Sequence, residues 1–310
     1  MPAFQYSPSH HVPFRDTDVL ARCRAIGRAD IEKHANPDLK IRVVADDMVE
    51  TIFVADMFYR IKAAADAGQK LVLILPNPNP SYRKVACLIN QFRVDCSHVT
   101  CFAMDEYANE HDEVAPESWE QSFIRAMKTY LYAEIDEDLR PPEDQLIGPT
   151  TANIADYGKM IADMGNADMC YSGPGWTGHL AFIEPDAPEF DVPLDDWKKM
   201  GPRICTLSPY TLAQNSLHGC FGMSGDIAAV PPKAATIGPA EVIQSKHRMD
   251  MHALTIHNTT TAWQRLMSRL VLHGPVTPKL PTSIHQLLRT DVYVSETIAQ
   301  DIEVNWNKGY

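Results

Sequence analysis

The sequence predicts an α/β fold, a mainly parallel sheet with helices on both faces. Three observations carry this. Strand-like and helix-like patterns alternate along most of the chain. The run Lys70-Leu-Val-Leu-Ile-Leu75 is almost wholly apolar, as in a strand covered on both sides. Prolines, asparagines and glycines then break the chain just after strand-like runs, as in Pro76-Asn-Pro-Asn-Pro80 and in the turn that opens at Gly173.

Taken in order, residues 1–39 are polar and irregular with one weakly amphipathic stretch at 19–31, and read as an N-terminal extension. Residues 40–310 then read as a single α/β domain. Residues 40–45 are β-branched and predict a strand. Asp46 and Asp47 fit a helix start, and 48–65 has helical apolar spacing. After the strand at 70–75, Ser81 is placed to cap a helix running to about Phe92. Residues 98–104 predict a third strand, and 116–131 a helix with Pro116 in its first turn. A helix over 151–164 and a strand over 167–172 lead into the glycine-rich turn. Residues 210–217 read as helix, 234–237 and 251–256 as strands, 260–272 as helix and 291–295 as a last strand.

The chain has 310 residues, 45% hydrophobic and 22% charged, within the range of ordinary globular proteins. Asp plus Glu number 40 against 28 Lys plus Arg, a net charge of −12. That balance points away from nucleic acid and from anionic membrane as partners, and does not exclude an anionic small-molecule substrate. No apolar run approaches a membrane span, and the N-terminus lacks the apolar segment of a signal peptide. Seven cysteines at odd spacings, several inside apolar runs, read as reduced thiols of a cytoplasmic protein, without the ligand spacing of a zinc site.

In a parallel sheet, chemistry is expected beyond the carboxyl ends of the strands. Two segments there carry chemical groups. In Phe102-Ala-Met-Asp-Glu-Tyr107, a carboxylate pair directly follows a strand; it suits proton transfer, and also reads as a helix-capping or merely solvated acidic turn. In Gly173-Pro-Gly-Trp-Thr-Gly-His-Leu-Ala-Phe-Ile-Glu-Pro185, glycines allow close approach of backbone to a ligand, and a histidine stands five residues before a glutamate. The histidine there reads as an acid/base, or as a structural residue of a tight turn.

Together and in this order, the segments resemble the hallmarks F-N-M-D-E-Y and G-x-G-x-D-G-H-I-A-F-N-E-P of the glucosamine-6-phosphate deaminase/isomerase family. Pro116-Glu-Ser-Trp119 resembles its H-P-E-S-Y, and Val230-Pro-Pro-Lys-Ala-Ala-Thr-Ile-Gly238 its V-P-K-x-A-L-T-V-G. The likeness runs from about Lys40 to Thr297. It implies a Rossmann-like three-layer α/β/α sandwich, a cofactor-free reaction without a metal, a sugar as substrate, and homo-oligomeric assembly. By position it makes His179 the ring-opening acid/base, Glu184 its orienting carboxylate and Asp105 the shuttle of a proton between C2 and C1, with Glu106 beside it. Gly175, Trp176, Thr177 and Gly178 would line the sugar.

Departures from the family pattern narrow the expected substrate. The acid of its D-G-H triplet is Thr177 here, and the asparagine of F-N-E-P is Ile183. Its phosphate loop, L-P-T-G-x-T-P, reads Leu75-Pro-Asn-Pro-Asn-Pro-Ser81, and Pro78 and Pro80 have no N–H to offer. The phosphate arginine falls at Leu212, and the phosphate lysine near Thr260, in a stretch Asn258-Thr-Thr-Thr261 without lysine. Arg83, Lys84 or Arg265 would have to supply charge from a new direction. The expectation is a sugar isomerase or aminosugar deaminase for a non-phosphorylated or differently substituted sugar, with Asn77 and Asn79 presenting neutral amides to it. The alternatives are a non-catalytic sugar-binding regulator, or a lactone hydrolase resembling the 6-phosphogluconolactonases.

Overall fold

The computed structural model describes residues 4–253, 255–256, 259–260 and 263–307. The chain opens with α1 (Thr17–Arg24), capped by the Asp16 carboxylate. It continues through β1 (Leu39–Val44), α2 (Met48–Ala67), β2 (Leu71–Leu75), α3 (Tyr82–Phe92) and β3 (Val99–Ala103). After one intervening residue comes β4 (Asp105–Ala108), followed by α4 (Phe123–Met127), β5 (Leu146–Ile147), α5 (Tyr157–Asp163) and β6 (Met169–Ser172). Next are α6 (Leu194–Trp197), β7 (Arg203–Thr206), α7 (Pro209–Asn215), β8 (Lys233–Thr236), α8 (Pro239–Gln244) and β9 (Arg248–His252). The short strands β10 (Thr255–Ile256) and β11 (Thr259–Thr260) precede α9 (Gln264–His273), β12 (Thr290–Ser295) and α10 (Glu296–Ala299).

Seven strands form the main sheet in the order β1-β12-β9-β6-β2-β3-β5, every described pair parallel. The side-chain period of two sorts each central strand between two cores. Leu71, Leu73 and Leu75 of β2 and Cys101 of β3 join Phe53, Met57 and Ile61 of α2 and Val85 and Ile89 of α3. Val72, Ile74 and Phe102 face the other way, onto Tyr107, Tyr157, Phe182 and Trp197. This is why the run at 71–75 is apolar without alternation: neither face meets water.

A second, antiparallel sheet has the order β4-β8-β7. Met104 is the seam between the two. Its N–H donates to Leu75 in the main sheet and its carbonyl accepts from Ile237, just past β8. The carboxylate pair therefore stands on a strand of its own rather than in the turn the sequence suggests.

Elsewhere the expected elements shift. The helix expected over 116–131 begins only at Phe123, capped by Ser122, and ends in a π turn over Lys128–Tyr132. That over 151–164 is helical only from Tyr157. Ser81 makes no cap bond, because its hydroxyl donates to Glu50 at 2.6 Å. The strand expected over 251–256 is earlier, at Arg248–His252, and the helix expected from 260 begins at Gln264, with Thr261 and Ala262 outside the described residues. Residues 17–31 lie against α9, burying Cys23 and Ile31. Arg269 of α9, itself fully buried, donates to the carbonyls of Ile26, Ile298, Ala299 and Gln300, and so ties both ends of the chain together.

Candidate active site

The carboxyl ends of β2, β3 and β6 meet at the centre of the sheet, where the strand order reverses direction, the usual place for a ligand in such folds. Segments 76–81, 105–107 and 173–184 leave the strands there.

Asp105 opens β4 and pairs with Thr236 of β8. Its side chain is buried, and Oδ1 has no hydrogen-bond partner. Burial, with the charge of Glu106 as a second cause, raises its pKa well above the usual carboxylate range. An unpaired buried acid is costly, so it marks a group kept for something other than stability.

Glu106 has the opposite fate. It is fully buried, and its carboxylate accepts from the Ser122 hydroxyl (2.8 Å) and the backbone N–H groups of Phe123 (2.7 Å), Ile124 (3.1 Å) and Tyr107 (3.0 Å). Burial raises its pKa and these four donors oppose the rise. Glu106 thus closes the start of α4 through Oε2, the capping alternative for one member of the pair, while Oε1 accepts only the Tyr107 N–H.

His179 sits in a pocket built by backbone. Gly178, in the left-handed region at φ 78°, turns the chain before it. Thr282 pins the turn from below: its N–H donates to the Gly178 carbonyl (2.9 Å) and its hydroxyl to that of His179 (2.8 Å). Gly175 has no room for a side chain, since a Cβ there would lie 1.8 Å from His179 Nε2. The imidazole occupies that space. Nδ1 faces two hydroxyls, Thr177 Oγ1 at 3.1 Å and Thr211 Oγ1 at 3.0 Å. Glu184 Oε2 is 3.6 Å away, beyond hydrogen-bond reach. The Thr177 hydroxyl stands between them and donates to Glu184 over 3.4 Å. Glu184, expected to orient His179, is hydrogen-bonded to it through Thr177. Its other oxygen accepts the Ser208 N–H at 3.3 Å. Phe182 couples this loop to Asp105's neighbour, donating its N–H to Thr236 Oγ1 at 3.1 Å.

Trp176 is exposed at the rim. Its N–H donates to Gln214 Oε1 (2.8 Å), and its ring lies 6.2 Å from that of Trp263, nearly parallel, with Tyr210 at 6.4 Å. Helix α7 supplies both Thr211 for the histidine and Gln214 for the tryptophan.

The deciding observation is the likeness to curated proteins over most of the chain. The chain is 29% identical over 239 residues to the glucosamine-6-phosphate deaminase of Lachnoclostridium phytofermentans, covering 73% of this chain and 90% of the relative. It is 28% identical over 242 residues to that of Mannheimia succiniciproducens, covering 75% and 80%. The chain is similar to the glucosamine-6-phosphate deaminases, at the distance of a divergent relative. No model of a known protein family matches it. It shares the fold of a monomeric glucosamine-6-phosphate deaminase described as a missing link of the NagB superfamily, which superposes with TM-score 0.67 at 20% identity, covering 84% of this chain and 98% of the other. A 6-phosphogluconolactonase from Leishmania guyanensis superposes with TM-score 0.58 at 14% identity, covering 85% and 98%. The Rossmann-like sandwich expected from the sequence is the fold observed.

Against the family's phosphate loop, residues 76–81 have turned inward. Asn79 is buried, with Oδ1 accepting the Ser81 N–H at 3.1 Å. Asn77 donates to the Leu75 carbonyl at 3.2 Å and leaves a buried Oδ1 without a partner. One neutral acceptor is open, where the sequence suggested two amides. Leu212 packs against the apolar core. Arg83 is engaged elsewhere, with Glu134 (3.1 Å) and Tyr130, and Lys84 with Glu50 (2.8 Å); Arg265 Nη2 donates to the carbonyls of Gln300 and Asp301, while its buried Nε has no partner among the described residues. The lysine position near Thr260 adjoins Asn258 and Thr261, which lie outside the described residues.

Sequence reasoning missed Thr211, Gln214, Tyr210 and Trp263. Thr211 and Gln214 lie within Tyr210-Thr-Leu-Ala-Gln-Asn-Ser-Leu217, a stretch that draws attention for the arginine it lacks rather than for the groups it has. Among the described residues no group of three or more His, Cys, Asp and Glu side chains could hold a metal ion. No described helix is long and apolar enough to cross a membrane.

Proposed function

We propose that this protein is a cofactor-free sugar isomerase or aminosugar deaminase whose substrate carries no phosphate at the end facing residues 76–81. The reading rests above all on Asp105, a buried carboxylic acid with an unpartnered oxygen at a strand end beside the histidine loop. His179, with no protein partner on Nε2 among the described residues, takes the anomeric hydroxyl proton and returns one to the ring oxygen as the ring opens. Asp105 then removes the C2 proton and delivers it to C1; an aldose gives the ketose as its O2 proton passes to O1, and an aminosugar gives the C2 imine, which a water molecule hydrolyses to the ketose and ammonia. Substrate hydroxyls supply Asp105 and Asn77 with the donors they lack, and this favours the ionised form of Asp105 that the transfer requires. Trp176, with Trp263 behind it, offers an apolar face to the sugar ring.

The absence of a phosphate is supported by subtraction: Pro78 and Pro80 in the loop, Leu212 packed into the core, and Arg83 and Lys84 paired elsewhere. A dianion placed there would lose charge-assisted hydrogen bonds worth about 1.5–3 kcal/mol each. The lactone hydrolase reading has the fold in its favour, whereas the sequence relatives are deaminases. A cytoplasmic location, with seven free cysteines, and homo-oligomeric assembly complete the proposal; light scattering checks the assembly. The deciding experiment incubates the protein with free aminosugars and with their 6-phosphates in deuterated solvent and follows exchange at C2. Exchange on the free sugars supports the reading. Binding without exchange on any of them makes the protein a sugar binder, and lactone turnover without exchange makes it a hydrolase.

A further inference from the structure

Two hydroxyls on one imidazole nitrogen are more than one proton requires. Thr211 Oγ1 is fully buried and has no partner but His179 Nδ1 among the described residues. Thr177 Oγ1 has two partners, His179 Nδ1 and Glu184 Oε2. The Thr177 hydroxyl donates to Glu184 Oε2 and so meets Nδ1 with a lone pair. It is matched to a histidine with a proton on Nδ1. Thr211 spends its proton nowhere else and can give it to Nδ1, which matches a histidine with a bare Nδ1 and its proton on Nε2. Each hydroxyl therefore favours a different neutral tautomer.

We infer that Thr177 and Thr211 form a tautomer selector for His179: positioning residues that let a neutral imidazole present Nε2 either as acceptor or as donor. The inference deepens the proposed ring opening, where the same nitrogen must take a proton at one oxygen and give one at another. In proton terms, Nε2 gains the substrate proton, Nδ1 passes its own to Thr177 Oγ1, and Thr177 passes its own to Glu184. The return to the ring oxygen runs the same transfers backwards. The direct ion pair that a carboxylate at position 177 would make is replaced by a switch without a fixed charge on the ring.

The test needs no substrate. Nitrogen-15 shifts of selectively labelled His179 report which ring nitrogen is protonated in the ligand-free protein. Thr177→Val, nearly isosteric, removes the acceptor and should move the ratio of tautomers toward Nε2–H by about fivefold, the weight of one ordinary hydrogen bond. Thr211→Val should move it toward Nδ1–H by a similar factor. Alanine at each position provides a second removal should a valine variant fold poorly. Thr177→Ser and Thr211→Ser keep the hydroxyls and should retain the wild-type shifts. Unchanged shifts in the Val and Ala variants, shifts in the same direction for both positions, or Ser variants that behave like Val would overturn the selector. If the tautomers shift as expected and no sugar undergoes exchange, the selector stands and the proposed reaction falls.

Discussion

Replacing Asp105 by asparagine should remove the chemistry and raise the melting temperature together. Asp105 is buried, Oδ1 is unpartnered, and burial lifts its pKa well above the range of an unfolded chain. The direction of linkage follows. At a pH below the unfolded value both states hold the proton and the residue costs nothing. As pH rises from there toward the folded value, the unfolded chain releases the proton while the native protein keeps it, so stability falls with pH; above the folded value the penalty is complete. The variant has no proton to release and loses that slope. Between the two values the penalty grows by about 1.4 kcal/mol for each pH unit. At about 2 cal/mol/K per residue, unfolding 310 residues carries roughly 0.65 kcal/mol/K, so the gain in the variant grows by about 2 °C for each pH unit above the unfolded value. Thermal melts of wild type and Asp105→Asn from pH 4 to 8, with C2 exchange measured on the same samples, check both halves. A variant less stable than wild type, or equal slopes with pH, would refute the burial argument. Full exchange in the folded variant would refute the shuttle.

Other outcomes follow from the same geometry. Glu106→Ala should destabilise the fold by several kcal/mol, since four donors lose one acceptor, and chemical denaturation measures it; a stable variant with altered sugar preference would place Glu106 in the binding site. Glu184→Gln should slow reaction of closed-ring sugars more than of open-chain analogues, and equal losses on both would remove it from ring opening. Trp176→Ala should weaken sugar binding by about tenfold by titration calorimetry, without changing the melting temperature by more than a degree or two, because the ring is exposed. Matched calorimetry on free sugars and their 6-phosphates should favour the free forms; tighter, salt-sensitive binding of the phosphates would reveal a cationic site outside those considered.

The parts of the fold legible in the sequence are those whose burial is complete. The strands at 71–75 and 99–103 are wholly buried and lie within one or two residues of their expected bounds. Elements set by distant partners were not legible. Pro116 offers a good first turn, yet α4 begins at Phe123, where the Glu106 carboxylate and the Ser122 hydroxyl satisfy its amides. Strand β7, Arg203–Thr206, escaped notice because it is short and owes its place to pairing with β8. In the site, Asp105, His179 and Glu184 are readable from their motifs, but the interposition of Thr177 and the arrival of Thr211 from α7 depend on how two loops fold together, which no local pattern encodes.

The cap on α4 has a consequence for how this site can be tuned. Glu106 is the charged neighbour that helps to hold the proton on Asp105, and its own charge is answered by amides of a helix that takes no part in the chemistry. A change at Ser122, whose hydroxyl donates to Glu106, would leave Glu106 less well compensated and alter the proton affinity of Asp105 through a helix cap. The working pH of such an enzyme can thus drift or adapt through its scaffold while the groups around the substrate stay constant.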